Sequence, residues 1–243
     1  ILDALVVSQK IKPRKALLLG LGVGTISGSL EKYNIQVDAV ELDPKVIDIA
    51  NKYFSLNEQN TRIFIEDART FIRSCPEKYD AIIIDIFRGD GVPAHVVSEE
   101  FFQDIHRCME TNATVSMNAF YGTDKTSSKH SLLKTIVKVF GQTFLFEENI
   151  IPHSKIRQGY IHAKKGNGPW NKSVSLNKVP IKMRDQIGNI IKQGTVYQKG
   201  SNKLFKYNII SDSLNDWKEQ NREVSLSYRE LMINAIPPEV LLN

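Results

Sequence analysis

Between residues 15 and 120 short apolar runs alternate with stretches of helical period, the pattern of a parallel sheet flanked by helices. Strands are predicted at 16–19, 37–40, 62–65, 81–84 and 114–118. After the first, Ile26, Leu30 and Tyr33 fall on one helical face; after the second, Val46, Ala50 and Tyr53 do the same, so both helices can cover the sheet. Asp43 followed by Pro44 suits a helix cap and first-turn pair. Residues 1–10 read as a helix preceding the first strand. Farther on, 143–146 and 159–163 are expected as strands joined by the turn-rich 148–158, closing the sheet as an antiparallel pair. Gly-Asn-Gly-Pro at 166–169 marks a boundary between a domain over 1–165 and an appendage over 166–243. The appendage is expected to hold a helix at 181–192, a hairpin around Gly200 and a last helix at 223–236.

Composition adds limits. A chain of 243 residues with 42% hydrophobic and 24% charged residues has material for one large core. No run approaches the roughly eighteen apolar residues of a membrane span, and the first residues lack a charged leader, so a cytoplasmic protein without membrane contact is expected. The net charge of +5 is unevenly placed: residues 166–210 carry eight Lys or Arg against one acid, Asp185. Such a segment can meet nucleic acid, but few aromatics interleave with the charges and no nucleic-acid motif is present, which leaves a solvated basic face. Cys75 and Cys108 match no metal or redox spacing and are expected as unpaired thiols. The five histidines form no metal spacing, so no metal is expected.

In a parallel sheet ligands bind beyond the carboxyl ends of the strands. The first strand runs into Gly-Leu-Gly-Val-Gly-Thr, where Gly20, Leu21, Gly22, Gly24 and Thr25 form a tight turn that lets a ligand approach the backbone and the next helix. It departs from the dinucleotide fingerprint, since Thr25 or Ser27 stands where the last glycine would be. The second strand ends at Glu41 and Leu42, with Glu41 21 residues after Gly20, where a carboxylate can accept both ribose hydroxyls. The third ends at Asp67, whose carboxylate can accept from an adenine amino group, with Ala68 supplying a backbone amide; the alternative roles for Glu41 and Asp67 are helix capping and surface charge. The fourth ends at Asp85, a carboxylate at the mouth of a buried strand, suited to proton transfer or to capping a loop.

The phrases Leu-Leu-Leu-Gly-Leu-Gly-Val-Gly-Thr, Val-Glu-Leu-Asp-Pro-Lys-Val-Ile, Glu-Asp-Ala-Arg-Thr-Phe-Ile and Asp-Ala-Ile-Ile-Ile-Asp-Ile-Phe-Arg-Gly-Asp-Gly-Val-Pro-Ala-His together resemble the polyamine aminopropyltransferases of the spermidine-synthase type. The resemblance covers residues 17–105 and continues more weakly to about 165. It implies a Rossmann-like class I methyltransferase fold and a donor that is S-adenosylmethionine or its decarboxylated form, held by Gly20, Gly22, Glu41, Asp67 and Ala68. It also implies a polyamine acceptor deprotonated by Asp85, and a possible homodimer. Val23 stands where such enzymes carry an acid in the first turn, and Arg88 where they carry a second acid after the fourth strand. Both substitutions favour a donor or acceptor bearing a carboxylate, and so keep open a methyltransferase using intact S-adenosylmethionine on an anionic or RNA substrate. Asp90 can replace the missing acid, and His95 lies in the loop over the site. A catalytically idle homologue that binds the nucleoside is the third reading.

Overall fold

The computed structural model describes residues 1–9, 11–56, 60–88, 91–122, 127–148, 156–166 and 176–235. In chain order the elements are α1 (Leu2–Val7), β1 (Lys15–Leu19), α2 (Thr25–Glu31), β2 (Gln36–Glu41), α3 (Pro44–Phe54), β3 (Thr61–Ile65), α4 (Ala68–Ser74) and β4 (Tyr79–Ile84). They continue with α5 (Glu99–Cys108), β5 (Met109–Gly122), α6 (Ser127–Phe140), β6 (Gln142–Glu148), β7 (Ile156–Lys164), α7 (Ile181–Gln193), β8 (Thr195–Gln198), α8 (Trp217–Gln220) and α9 (Arg222–Ala235).

The eight strands form one sheet in the order β3-β2-β1-β4-β5-β7-β6-β8. Strands β1 to β5 are parallel, and β7, β6 and β8 close the sheet through antiparallel pairings. This is the mainly parallel α/β fold with antiparallel closure that the chain's pattern predicts. Because successive residues of a strand face opposite sides, the apolar run of each central strand serves two layers. Leu17, Leu19, Ile82 and Ile84 pack with Phe71, Phe101 and Leu132 of α4, α5 and α6. Ala16, Leu18, Ala81 and Ile83 pack with Leu5, Leu30, Ile47 and Ile190 of α1, α2, α3 and α7.

Four details differ from expectation. Helix α3 is capped as predicted, Asp43 accepting from the Lys45 N–H at 2.9 Å with Pro44 at the first helical position. That start turns Ile47 and Ala50 toward the sheet and leaves Tyr53 66% exposed, so the covering face is offset by about one residue. No hairpin forms at Gly200: β8 pairs with β6, and the chain passes through the turn into a short 3₁₀ segment, Asn202–Leu204, because Leu204 is drawn into the core. Cys75 and Cys108 are joined as a disulfide, Cα to Cα 5.9 Å, since the end of α4 lies beside the end of α5. The region after residue 166 also supplies a strand to the main sheet, β8 lying in the same sheet as β1. Among the described residues no helix is long and apolar enough to cross a membrane.

Candidate active site

The chain runs from β1 outward to β2 and β3, then returns to place β4 on the other side of β1. The carboxyl ends of β1 and β4 therefore meet where the strand order reverses, which is where open α/β sheets bind ligands. Gly20, Gly22 and Gly24 all have positive φ (92°, 54° and 81°), and the Gly20 N–H donates to the Val40 carbonyl at 2.9 Å. A side chain at Gly20 would collide with the carbonyl oxygen of Asp85. The glycine thus allows the first turn and the end of β4 to touch. Leu21 is buried beneath the turn, and Thr25 opens α2 with its side chain exposed.

Glu41 binds this turn to the end of β2. Its Oε2 accepts from the Leu21 and Gly22 N–H groups at 3.2 and 3.3 Å, and its Oε1 from Leu42 and Asp43 at 2.9 and 3.1 Å. The carboxylate is therefore held in one orientation beside the glycines, where ribose hydroxyls would share its lone pairs with the turn amides. The Leu42 side chain is 58% exposed at the rim.

Asp67 caps α4, its Oδ1 accepting from the Thr70 N–H at 3.0 Å, while its Oδ2 lies 3.2 Å from His95 Nε2. Ala68 is the first residue of that helix. Of the readings of Asp67, helix capping is thus present in the structure, and the other oxygen faces a histidine at the same rim. The His95 loop is anchored from below by the buried Arg69, which donates to the His95 carbonyl at 2.6 Å and Ser98 Oγ at 2.8 Å and pairs with Asp212. Burial raises the Asp212 carboxyl, but the Ser98 hydroxyl and Arg69 more than offset it and hold it below the usual range.

Asp85 sits half-buried at the end of β4. Burial pushes its carboxyl above the ordinary carboxylate range, opposed by Asn118 Nδ2, which donates to Asp85 Oδ1 at 2.9 Å. Asn118 is oriented in turn by Gln158 Nε2, which donates to its Oδ1 at 2.9 Å. Asn118→Ala should therefore raise the Asp85 carboxyl further. If Asp85 acts as a base, the acidic limb of its pH–rate profile then moves to higher pH, which initial rates measured from acid to mildly alkaline pH would register.

The structure brings together the glycine turn, Glu41 and Asp85, and separately pairs Asp67 with His95. Arg88 is exposed, bridging through its backbone to Gly91, and Asp90 lies outside the described residues. Sequence reasoning missed Asn118 as a partner of Asp85, although a polar residue at the end of the predicted strand 114–118 was a visible signal. It also missed Gln158, Arg69 and Asp212, for which nothing local pointed to a role.

A doubly wound sheet with a glycine turn after its first strand and an acid after its second is a Rossmann-like arrangement. The spermine/spermidine synthase domain matches residues 2–165, and the chain belongs to that family. It is 34% identical over 142 residues to a polyamine aminopropyltransferase of Vibrio vulnificus, covering 56% of this chain and 46% of that protein. It is equally 34% identical over 142 residues to an N-terminal histidine N-methyltransferase of Emericella nidulans, covering 56% of this chain and 25% of that one. The chain thus spans less than half the length of these two relatives. Among solved structures, a probable spermidine synthase from Corynebacterium glutamicum superposes with a TM-score of 0.64 at 18% identity, over 82% of this chain and 72% of the other. Human methyltransferase-like protein 13 bound to SAH superposes with a TM-score of 0.53 at 16% identity, over 83% and 91%. At these identities the structural likeness speaks for the fold.

Proposed function

We propose that the protein is a transferase that moves an aminopropyl group from decarboxylated S-adenosylmethionine to the nitrogen of a di- or polyamine. The observation that carries this is the contact between the glycine turn and Asp85: the Gly20 backbone packs on the Asp85 carbonyl, so a nucleoside seated on the turn and Glu41 lies next to a carboxylate suited to take a proton. Polyamines are protonated at neutral pH, and an ammonium has no lone pair to attack with. The Asp85 carboxylate first attracts the cation and then accepts its proton. The freed nitrogen attacks the methylene carbon beside the sulfonium; the carbon–sulfur bond breaks, its electron pair stays on sulfur, and a neutral thioether nucleoside leaves. Holding both partners at adjacent strand ends supplies much of the acceleration by orientation.

Methyl transfer from intact S-adenosylmethionine is the second reading. Val23, 38% exposed in the first turn, supplies no negative charge against a donor carboxylate, and the Emericella relative is named for methyl transfer. Incubating the protein with each donor and 1,4-diaminobutane, and quantifying the thioether nucleoside released, tests the proposal. Release of 5′-methylthioadenosine from the decarboxylated donor supports it. Release of S-adenosylhomocysteine from the intact donor alone supports methyl transfer, and binding of donor without either product leaves an idle nucleoside-binding homologue.

A further inference from the structure

The loop that leads into α5 brings His95 to Asp67, and its shape is set from outside. Apart from one 3₁₀ turn, Ala94–Val96, residues 92–98 have no regular structure, so their backbone groups need partners from elsewhere. Residues 210–217 run beside them in the opposite direction and supply those partners. The Ile210 carbonyl accepts from the Glu99 N–H at 2.8 Å, and the Asp212 N–H donates to Glu100 Oε2 at 2.9 Å. Asn215 Nδ2 donates to the Ala94 carbonyl at 2.7 Å and Trp217 Nε1 to the Val92 carbonyl at 2.9 Å. This strap is itself fixed: Ile210 and Trp217 are buried, and the Ile210 N–H donates to Thr135 Oγ1 of α6 at 2.9 Å. It lies beyond residues 2–165, the stretch that matches the synthase domain.

Asp212 stands at the centre of the strap. Its Oδ1 accepts from Ser98 Oγ at 2.6 Å and its Oδ2 pairs with Arg69, which is buried and has Asp212 as its ion-pair partner among the described residues. A buried guanidinium without a partner is costly, so Asp212 keeps Arg69 in place. Arg69 donates in turn to the His95 carbonyl and lies two residues after Asp67 in the first turn of α4, which fixes the spacing of His95 from Asp67. A carboxylate only accepts, so His95 Nε2 donates to Asp67 Oδ2 across their 3.2 Å. With Oδ1 capping α4, the Asp67 carboxylate is held from both sides, and Oδ2 keeps acceptor capacity for a ligand N–H.

We infer that Asp212 is a positioning residue for the donor site: through Arg69 it sets the His95 loop, so that the Asp67–His95 pair reads the amino edge of a purine. This rests on the reading of the strand ends as a nucleoside-donor site and adds to it a part of the chain beyond the synthase-matching stretch. A purine amino group donates to Asp67 Oδ2, whereas an oxygen in its place sets lone pair against lone pair.

5′-Methylthioadenosine and 5′-methylthioinosine differ at that amino group and make matched probes. Each is titrated calorimetrically into the whole protein and into Asp212→Ala, His95→Ala and Asn215→Ala, below the unfolding temperature measured for each. The unaltered protein should bind the amino nucleoside at least about 10-fold more tightly, the worth of one hydrogen bond to a charged group. Asp212→Ala and His95→Ala should each cut that ratio by at least about 3-fold. Asn215→Ala removes one strap bond and leaves Arg69 paired; it should cut the ratio by about 2-fold, and it replaces Asp212→Ala if that variant does not fold. A general loss of folded protein weakens both nucleosides alike and leaves the ratio unchanged. If the amino nucleoside binds no more tightly than the oxo one, or the ratio is unchanged in His95→Ala or in the folded strap variant, the inference falls and the donor reading stands. If neither nucleoside binds the unaltered protein, the donor reading falls as well.

Discussion

Asp85→Asn is expected to lower kcat by about 10²–10⁴-fold, the usual worth of a positioned proton acceptor, while raising the unfolding temperature at neutral pH. The second half follows from burial, which lifts the Asp85 carboxyl above its ordinary value. A carboxyl whose folded-state pKa is raised stabilises the fold fully only below its unfolded pKa, and that contribution is lost as pH rises through the folded one. At neutral pH the raised Asp85 carboxyl is therefore a net cost to the fold, which the neutral amide removes while still accepting from Asn118 Nδ2. On acidification below both values the stability gain should vanish. Thermal unfolding at neutral and at strongly acid pH, beside single-turnover rates, separates a chemical role from a structural one. An Asp85→Asn variant that is both less stable and only mildly slowed would mark Asp85 as a loop cap.

Gly20→Ala should have the largest effect on the donor site. At φ +92° a β-carbon is strained, and here it would also strike the Asp85 carbonyl, a backbone atom that cannot turn aside. Either the first turn lifts off the end of β4 or the two strand ends separate, and in both cases the Leu21 and Gly22 amides leave Glu41. A loss of about 1–3 kcal/mol in unfolding free energy is expected from the strained conformation. Nucleoside binding should weaken by at least about 10-fold as the Glu41 cradle is broken, the equivalent of one hydrogen bond to a charged group. By contrast Gly22→Ala, at φ +54° with no atom within 4 Å of the added carbon, should retain most binding. Urea unfolding and donor titration of the two variants make the comparison.

The central strands were legible because a parallel strand buried on both faces reads as an unbroken apolar run, as Ala-Leu-Leu-Leu and Ala-Ile-Ile-Ile do. Their ends then identified Gly20, Glu41 and Asp85, which the structure brings together. The phase of α3 was less legible, since Tyr53 and Phe54 are apolar yet face solvent, and periodicity alone assigns such residues to the covered side. The relay from Gln158 through Asn118 to Asp85 depends on the antiparallel register that sets Asn118 opposite Tyr160 and Phe120 opposite Gln158. That register arises from pairing across a long stretch of chain and leaves no local trace. The same holds for Arg69 with Asp212, separated by 143 positions, and for the Cys75–Cys108 pair. Asp67 was ambiguous for a different reason: an acid opening a helix can cap it and face a ligand with its second oxygen, and residue type alone does not separate these roles.

The most direct measurement is calorimetric titration of the protein with decarboxylated and intact S-adenosylmethionine, repeated on Glu41→Ala. The proposed function predicts saturable binding, tighter for the decarboxylated form, that weakens by about 10- to 100-fold when the Glu41 carboxylate is removed. Absence of binding by either form, or binding that Glu41→Ala leaves unchanged, would contradict it.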